Sequence, residues 1–479
     1  MPTLLSSWEA LWAIPHIGLY VGLGWLAYLL GLGVWIVLQK REPAATISWL
    51  VSLAALPYIG FFVYHVFGPQ KIRRHRLRRS RARVGMPGPP GEGEHEAVEL
   101  ARLGQATTGL PPTTAQRVDL LIDGAATYDA LLDAVRGARD HVHLEYYIYH
   151  PDRSGTALRD ALVERARAGV KVRLLLDAVG SSGTPDAFFA DLREAGGELA
   201  WFHPMRFGHV WKRPWLNMRT HRKIVVVDGR VGFAGGINIT DEENERLRAD
   251  AYRDLHLRIE GDSVRALQLV FVEDWVYATG SRDFIGEVAR AMPPPAHGPV
   301  HAQVLTSGPD SDWEAIHRLH VGAIHAAKRR VWLVTPYFVP GEAAMMALTS
   351  AGFGGLDVRL LVPKTSDSTL VTYAARSYFD SLLEAGVKVY EYGPRMLHTK
   401  ALLVDDELAL VGSANFDHRS FRLNFEVCLL IRDAGVAGDL AKLIEGEFAQ
   451  APRVRADREL PLWRARLPEA FARLLSPLL

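Results

Sequence analysis

Cysteine is nearly absent: the 479 residues hold one, Cys428, inside the apolar run 427–431. No intramolecular disulfide can form, and a lone thiol among Val, Leu and Ile reads as a small buried hydrophobe. That fits a catalytic body on the cytoplasmic side of a membrane. Net charge is absent too, 55 basic against 54 acidic side chains for +1. The chain therefore lacks the overall basicity of a nucleic-acid binder. Charge is also missing locally. Residues 17–38 carry none, and neither do residues 43–70, whose most apolar part is 47–67. Residues 1–16 have no Lys or Arg and include Glu9, which argues against a cleaved signal peptide.

The first uncharged run would be about 33 Å long as a helix, enough to cross a bilayer. Lys40, Arg41 and Glu42 separate it from the second. Trp25, Trp35, Trp49, Tyr58 and Tyr64 are spread through both runs, those near the ends being placed to act as interfacial anchors, and Pro57 is placed to kink the second helix. The expectation is a transmembrane hairpin over 1–70, with a buried hairpin of a soluble domain as the competing reading. Residues 71–83 then hold eight Lys or Arg. The positive-inside rule puts them, and through the hairpin the N-terminus, in the cytoplasm, where they attract anionic headgroups. A Gly- and Pro-rich stretch follows, and 84–110 reads as linker.

The rest is built around a motif used twice. One copy is His221-Arg222-Lys223, Asp228, then Gly235-Gly236-Ile237-Asn238; the other is His398-Thr399-Lys400, Asp405, then Gly412-Ser413-Ala414-Asn415. In each, His and Lys stand two apart before a short apolar run, 224–227 or 401–404. On a strand both side chains face the same way. Asn238, Asn415 and the Ser413 hydroxyl follow a second short run, 231–234 or 408–411. Two such half-sites face to face would hold two His, two Lys and two Asn around a phosphoryl group. Lys and Asn stabilise its non-bridging oxygens, one His attacks phosphorus and the other protonates the leaving oxygen. The Lys pair supplies the positive charge, so this chemistry needs no metal. Asp228 and Asp405 begin turns and are expected to bond backbone there.

Around the motifs, strand-like and helical segments alternate from residue 118 onward, which argues an α/β fold with a largely buried sheet. The second half repeats the first: Val142 corresponds to Val331, Val172 to Val358 and Glu194 to Glu384, at spacings of 189, 186 and 190. The motif histidines are only 177 apart. The first half thus has about a dozen extra residues before its motif, within 205–219. There Trp211, Lys212, Arg213, Trp215 and Arg219 alternate aromatic and basic character. Two readings stand: lipid-interface contact, or a loop packing its Trp residues on the body. Tyr146, Tyr337 and Glu145 are weaker candidates for lining the cleft. Residues 463–479 have Leu467, Phe471, Leu474, Leu475 and Leu478 at helical spacing, an amphipathic helix that either docks on the body or touches the membrane.

The duplicated His-x-Lys-x4-Asp motif resembles the signature of the phospholipase D superfamily. With the N-terminal hairpin, the chain is most similar to the two-motif bacterial cardiolipin synthases. The resemblance implies two homologous α/β halves packed about a pseudo-twofold axis. It implies a catalytic set of His221, Lys223, Asp228, His398, Lys400 and Asp405, with no cofactor. In the family an acidic residue after each motif holds the histidine, a part that falls here to Asp254 and Glu426; the alternative for each is a surface carboxylate. It further implies transfer of a phosphatidyl group between two phosphatidylglycerol molecules, giving cardiolipin and glycerol through a phosphohistidine on His221, with His398 as acid and base. A phospholipase D-type hydrolase and a transferase using phosphatidylethanolamine are alternatives, and a superfamily nuclease is a distant one. The expected organisation is 1–70 hairpin, 71–115 basic segment and linker, 116–290 and 291–452 the two halves, and 453–479 tail, in the bacterial inner membrane with both halves cytoplasmic.

Overall fold

The computed structural model describes residues 15–38, 43–55, 99–204, 217–458 and 461–476. The N-terminal helices and the body that follows are separate compact units. In the first unit, helix Ile17–Leu38 runs 22 uncharged residues. Among the described residues it is the one helix long and apolar enough to cross a membrane. A second helix, Pro43–Ala55, follows, and Ile36 and Leu53 pack together with Leu29, Leu32, Trp49 and Leu50. The remainder of the expected second span, the basic segment 71–83 and the start of the linker lie outside the described residues.

Among the described residues the body contains two large sheets. The strands of the first are β2 (Arg117–Ile122), β3 (His141–Tyr146), β4 (Lys171–Asp177), β5 (Glu198–Phe202), β6 (Ile224–Val227), β7 (Val231–Gly235) and β8 (Leu255–Glu260). They are arranged β2-β8-β7-β6-β3-β4-β5. The second sheet holds β9 (Val300–Ser307), β10 (Arg330–Val334), β12 (Asp357–Pro363), β13 (Lys388–Tyr392), β14 (Ala401–Val404), β15 (Leu408–Gly412) and β17 (Glu426–Arg432). Their order is β9-β17-β15-β14-β10-β12-β13, with β1 (Thr113–Ala115) added beside β9. Strand for strand, this is the same order twice. A separate pair, β11 (Phe338–Val339) and β16 (Phe416–Asp417), runs parallel.

Period-two alternation assigns each motif strand to two cores. Ile224 and Val226 face a core shared with Ala401 and Leu403 of the other half. Val225 and Val227 face the outer core of the first half, and Leu402 and Val404 that of the second. The shared core is closed by helices Ser263–Thr279 and Ala434–Phe448. Each packs on its own half and reaches an edge strand of the other, β9 and β2 respectively. All residues from Ser263 to Tyr277 are buried, so this helix is internal to the pair of halves.

One stretch read as linker is ordered. Helix Glu99–Thr108 buries Leu100 and Gly104. Gly104 sits where a Cβ would come within 2.5 Å of the Gln303 amide. Thr113–Ala115 pairs antiparallel with β9. The apolar spacing here is short and follows a Gly- and Pro-rich run, which masked it in the sequence.

Candidate active site

Each motif enters its strand through a backbone pairing with the opposite half. His221 N–H donates to Phe425 O at 2.9 Å, and Phe425 N–H to Arg219 O at 2.9 Å. In the mirror arrangement, His398 N–H donates to Arg253 O at 2.7 Å and Arg253 N–H to Met396 O at 2.8 Å. This lacing sets the residue after Phe425, and the residue after Arg253, beside the other half's histidine. His221 Nδ1 lies 3.0 Å from Glu426 Oε1, and His398 Nδ1 lies 2.6 Å from Asp254 Oδ2. A carboxylate only accepts, so each Nδ1 carries the proton and each Nε2 keeps its lone pair.

The lysines flank the histidines. Lys223 Nζ donates to His221 O at 2.7 Å. Lys400 Nζ bonds His398 O and approaches Asp254 Oδ2 at 3.5 Å. Asn238 and Asn415 follow β7 and β15 and are buried, as are His221, Lys223, His398 and Lys400. Rings of Tyr147 and Tyr252 stand 5.0 and 5.4 Å from His221 and His398.

The two half-sites differ where their sequences differ. Ser413 Oγ donates to Glu426, and Asn424 Nδ2 adds a bond at 3.2 Å. The first half has Gly236 in place of Ser413, because a Cβ there would lie 2.3 Å from Asp254 Oδ1. Conversely, Asn238 donates through its backbone N–H and Nδ2 to Glu243 Oε1, at 3.2 and 2.9 Å. At the matching position of the second half stands Ser420, whose hydroxyl accepts the Asn415 N–H at 3.2 Å. Glu243 thus brings a third buried carboxyl, and it belongs to the His398 side: its Oε1 is 3.9 Å from His398 Nδ1.

Burial sets the charge states. It pushes His398 down to about 4, helped by Lys400 and opposed by Asp254, and it lowers His221 against the pull of Glu426. Lys223 is brought down to about 7 by the same desolvation. Burial disfavours ionised Glu426 and Asp254 too, yet His221 in one case and Lys400 with His398 in the other outweigh it and hold both below their ordinary range. For Glu243 the Lys400 charge and the two Asn238 bonds are outweighed. Burial and then the Asp254 charge raise it to about 8.

Asp228 and Asp405 sit away from this cluster. Asp228 accepts the N–H groups of Arg139, Asp140 and His141 at 2.8–2.9 Å. Asp405 accepts those of Lys328, Arg329 and Arg330 at 2.8–3.1 Å. Arg219, read as a lipid contact, is instead buried. Its guanidinium grips Asp177, with Nη2 to Oδ1 at 2.8 Å and Nε to both oxygens at 3.0 Å. Thr220 N–H also donates to Asp177. That clamp fixes the approach to His221, because a carboxylate at the end of β4 needs a cation to be buried there. Trp211, Lys212, Arg213 and Trp215 lie outside the described residues. Tyr146 is core, and Glu145 accepts the Thr220 hydroxyl beneath the site. Tyr337 Oη donates to Asp367 at 2.7 Å.

Among the described residues, Glu243, Asp254 and His398 form a group with ligand atoms within 4.8 Å of one another. Asp254 Oδ2 already receives His398 and Lys400, so a cation there would displace both. No motif in the sequence singles out Glu243. The available signal was positional: five residues beyond each motif Asn stands a polar group, Glu243 or Ser420, that accepts its backbone N–H.

Known proteins resemble this chain in sequence and in fold. A family model described as cardiolipin synthase, PLD-like domain, matches residues 131–274 and 321–451, and a phospholipase D-nuclease N-terminal model matches residues 29–69. The chain is 41% identical to a cardiolipin synthase of Geobacillus thermodenitrificans, across 93% of this chain and 91% of the relative. It is 38% identical to cardiolipin synthase 2 of Bacillus anthracis, across 94% and 89%. In fold it is similar to phosphatidylserine synthase of Haemophilus influenzae, with a TM-score of 0.62 at 14% identity over 80% of this chain and all of that one.

Proposed function

The chain belongs to the phospholipase D-like cardiolipin synthase family, and from that premise we propose that it is a phosphatidyltransferase joining two phosphatidylglycerol molecules into cardiolipin with release of glycerol. His221 Nε2 attacks phosphorus, forming a P–N bond as the P–O bond to glycerol breaks. His398 is neutral in the empty site, takes up a proton at Nε2 as the anionic phosphodiester enters and favours the imidazolium, and gives that proton to the departing glycerol oxygen. The free hydroxyl of a second phosphatidylglycerol then enters. His398 takes its proton, the new P–O bond forms, and the P–N bond to His221 breaks. Protons balance over the cycle and no nucleotide is consumed. Glu426 stabilises the positive charge that develops on His221, while Lys223, Lys400 and the two Asn amides meet the charge on the non-bridging oxygens.

The observation that carries this reading is the pair of histidines, each with Nδ1 bonded to a buried carboxylate from the opposite half. That arrangement leaves two free Nε2 atoms beside two lysines, one to attack and one to shuttle a proton. The order of roles follows the family resemblance. Helix Ile17–Leu38 would anchor the protein in the bacterial cell membrane as the first of two spans, with the basic segment 71–83 and the body on the cytoplasmic side.

The test is product analysis. The purified full-length protein is given labelled phosphatidylglycerol alone, without added metal. Cardiolipin and free glycerol are the expected products. Phosphatidic acid alone would make water the acceptor and the protein a hydrolase. A requirement for phosphatidylethanolamine would change the substrate pair.

A further inference from the structure

The C-terminal helix Leu467–Leu474 is built inside out for a water-facing element. Its one acidic residue, Glu469, is turned inward and buried, with Ala472 and Ser476 beside it. Arg458 bonds Glu469 at 3.1 Å and Asp380 at 2.8 Å. Tyr378 Oη meets Ser476 Oγ at 3.1 Å, and Arg473 donates to Ser377 O at 2.9 Å with its guanidinium over the Tyr378 ring. The polar side is therefore the docked side. Outside are Trp463, Leu467, Phe471 and Leu474, with exposures of 80, 44, 63 and 78%. Spacings of four and three residues place Leu467, Phe471 and Leu474 on one stripe of the helix, and Trp463 adds to it from the π-helical turn Leu462–Arg466 just before. Leu462 adds to it at 53%.

A helix that docks polar groups and offers water a contiguous stripe including Trp and Phe calls for an apolar medium on its outer side. The charges nearby say which one. Arg464 and Arg466 are exposed, and among the described residues no carboxylate stands within ion-pair distance of either. Apolar stripe, tryptophan and free arginines together suit the interface of an anionic bilayer, where the rings sit among the headgroups and the guanidinium groups reach phosphate. The helix is docked on the half that carries His398. It packs on helix Thr369–Arg376, which begins just after Asp367. Asp367 holds Tyr337 Oη, and its charge is felt by Tyr252, the ring beside His398.

We propose that residues 462–474 are a second membrane contact, an in-plane surface that seats the His398 side of the body on anionic lipid. The contact does not depend on which reaction the site performs. It is read through a depth probe on the full-length protein in lipid nanodiscs. Phe471→Cys carries an environment-sensitive fluorophore; the native Cys428 is buried, and labelled wild type supplies the blank. In discs of phosphatidylglycerol and phosphatidylcholine the probe should be quenched at least twofold by lipid brominated near the headgroup and shielded from iodide. Arg464→Glu with Arg466→Glu should return iodide access, as should discs of phosphatidylcholine alone. Full iodide quenching in the anionic discs would overturn the proposal. So would shielding without any quenching by brominated lipid, which would mean that protein, such as a second copy, covers the stripe. Phe471 is exposed, so the substitution leaves the docked face intact, and unchanged thermal melting checks this.

Discussion

His221 Nδ1 is held at 3.0 Å by Glu426, a residue 205 positions further along the chain, and the reciprocal contact from His398 to Asp254 spans 144. Each histidine therefore owes its tautomer to the other half. Glu426→Gln keeps the shape but removes the charge that stabilises an imidazolium, and its amide can turn an N–H toward Nδ1. The expected outcome is a fall in kcat of about 10²–10⁴ with folding retained. Asp254→Asn should lose a similar factor. Rapid-quench measurement of phosphoenzyme checks both, and a loss below about threefold would show that the carboxylates are bystanders.

The order of the histidines is separable with a substrate whose leaving group needs no proton, such as a phosphatidyl nitrophenyl ester. If His221 attacks, His398→Asn should release a burst of about one equivalent of nitrophenol per site and then stall. His221→Asn should release none. The reverse pattern would exchange the roles.

Asp228 and Asp405 stand at φ values of 53° and 52°, and each collects three backbone N–H groups at the head of the neighbouring strand, β3 or β10. Removing the carboxylate leaves those donors without a protein partner, part of them buried. Asp228→Ala should cost about 2–4 kcal/mol of stability, seen as a lowered Tm, while Asp228→Asn, which tolerates the left-handed backbone, should cost less. Turnover per folded molecule should stay within about tenfold. Abolished turnover at an unchanged Tm would place these residues in the chemistry instead.

The parts legible in the sequence were those written in local spacing. His and Lys two apart before an apolar run, repeated at matching offsets, are enough to orient both side chains and to double the sheet. What could not be read depends on which strangers in sequence become neighbours. Arg219 lies in an aromatic and basic stretch and looks exposed, yet its partner Asp177 is 42 residues away at the end of β4. Glu243 closes an acidic triplet that looks like a solvated turn, and only the fold of that turn back onto Asn238 buries it. That Glu426 serves His221 rather than His398 follows from a backbone pairing between halves that no periodicity announces.

Glu243 contributes to the alkaline side of the site's pH dependence. With Lys223 and Lys400 charged and Asp254 and Glu426 ionised, two positive charges meet two negative ones. A third carboxylate would leave the site repelling a phosphodiester. Held at about 8 by burial and Asp254, Glu243 is neutral at pH 7 and ionises above that value, so kcat/KM should fall on the alkaline side. Lys223, brought to about 7 by burial, adds to the same limb by losing its charge. Glu243→Gln keeps an acceptor for Asn238 Nδ2 and cannot ionise, so it should keep the lysine component near 7 and lose the steeper fall above about 8. Stability supplies a second readout. The folded protein holds a proton on Glu243 that the unfolded chain releases above the ordinary value of 4.5. This contribution is therefore fully present below pH 4.5 and is lost as pH rises to about 8. The Tm of Glu243→Gln relative to wild type should rise across that window and level off beyond it. Parallel Tm and kcat/KM profiles for the two proteins would mean that Glu243 does not titrate there. A Gln variant that folds but is inactive at every pH would mean that the site needs the ionised group.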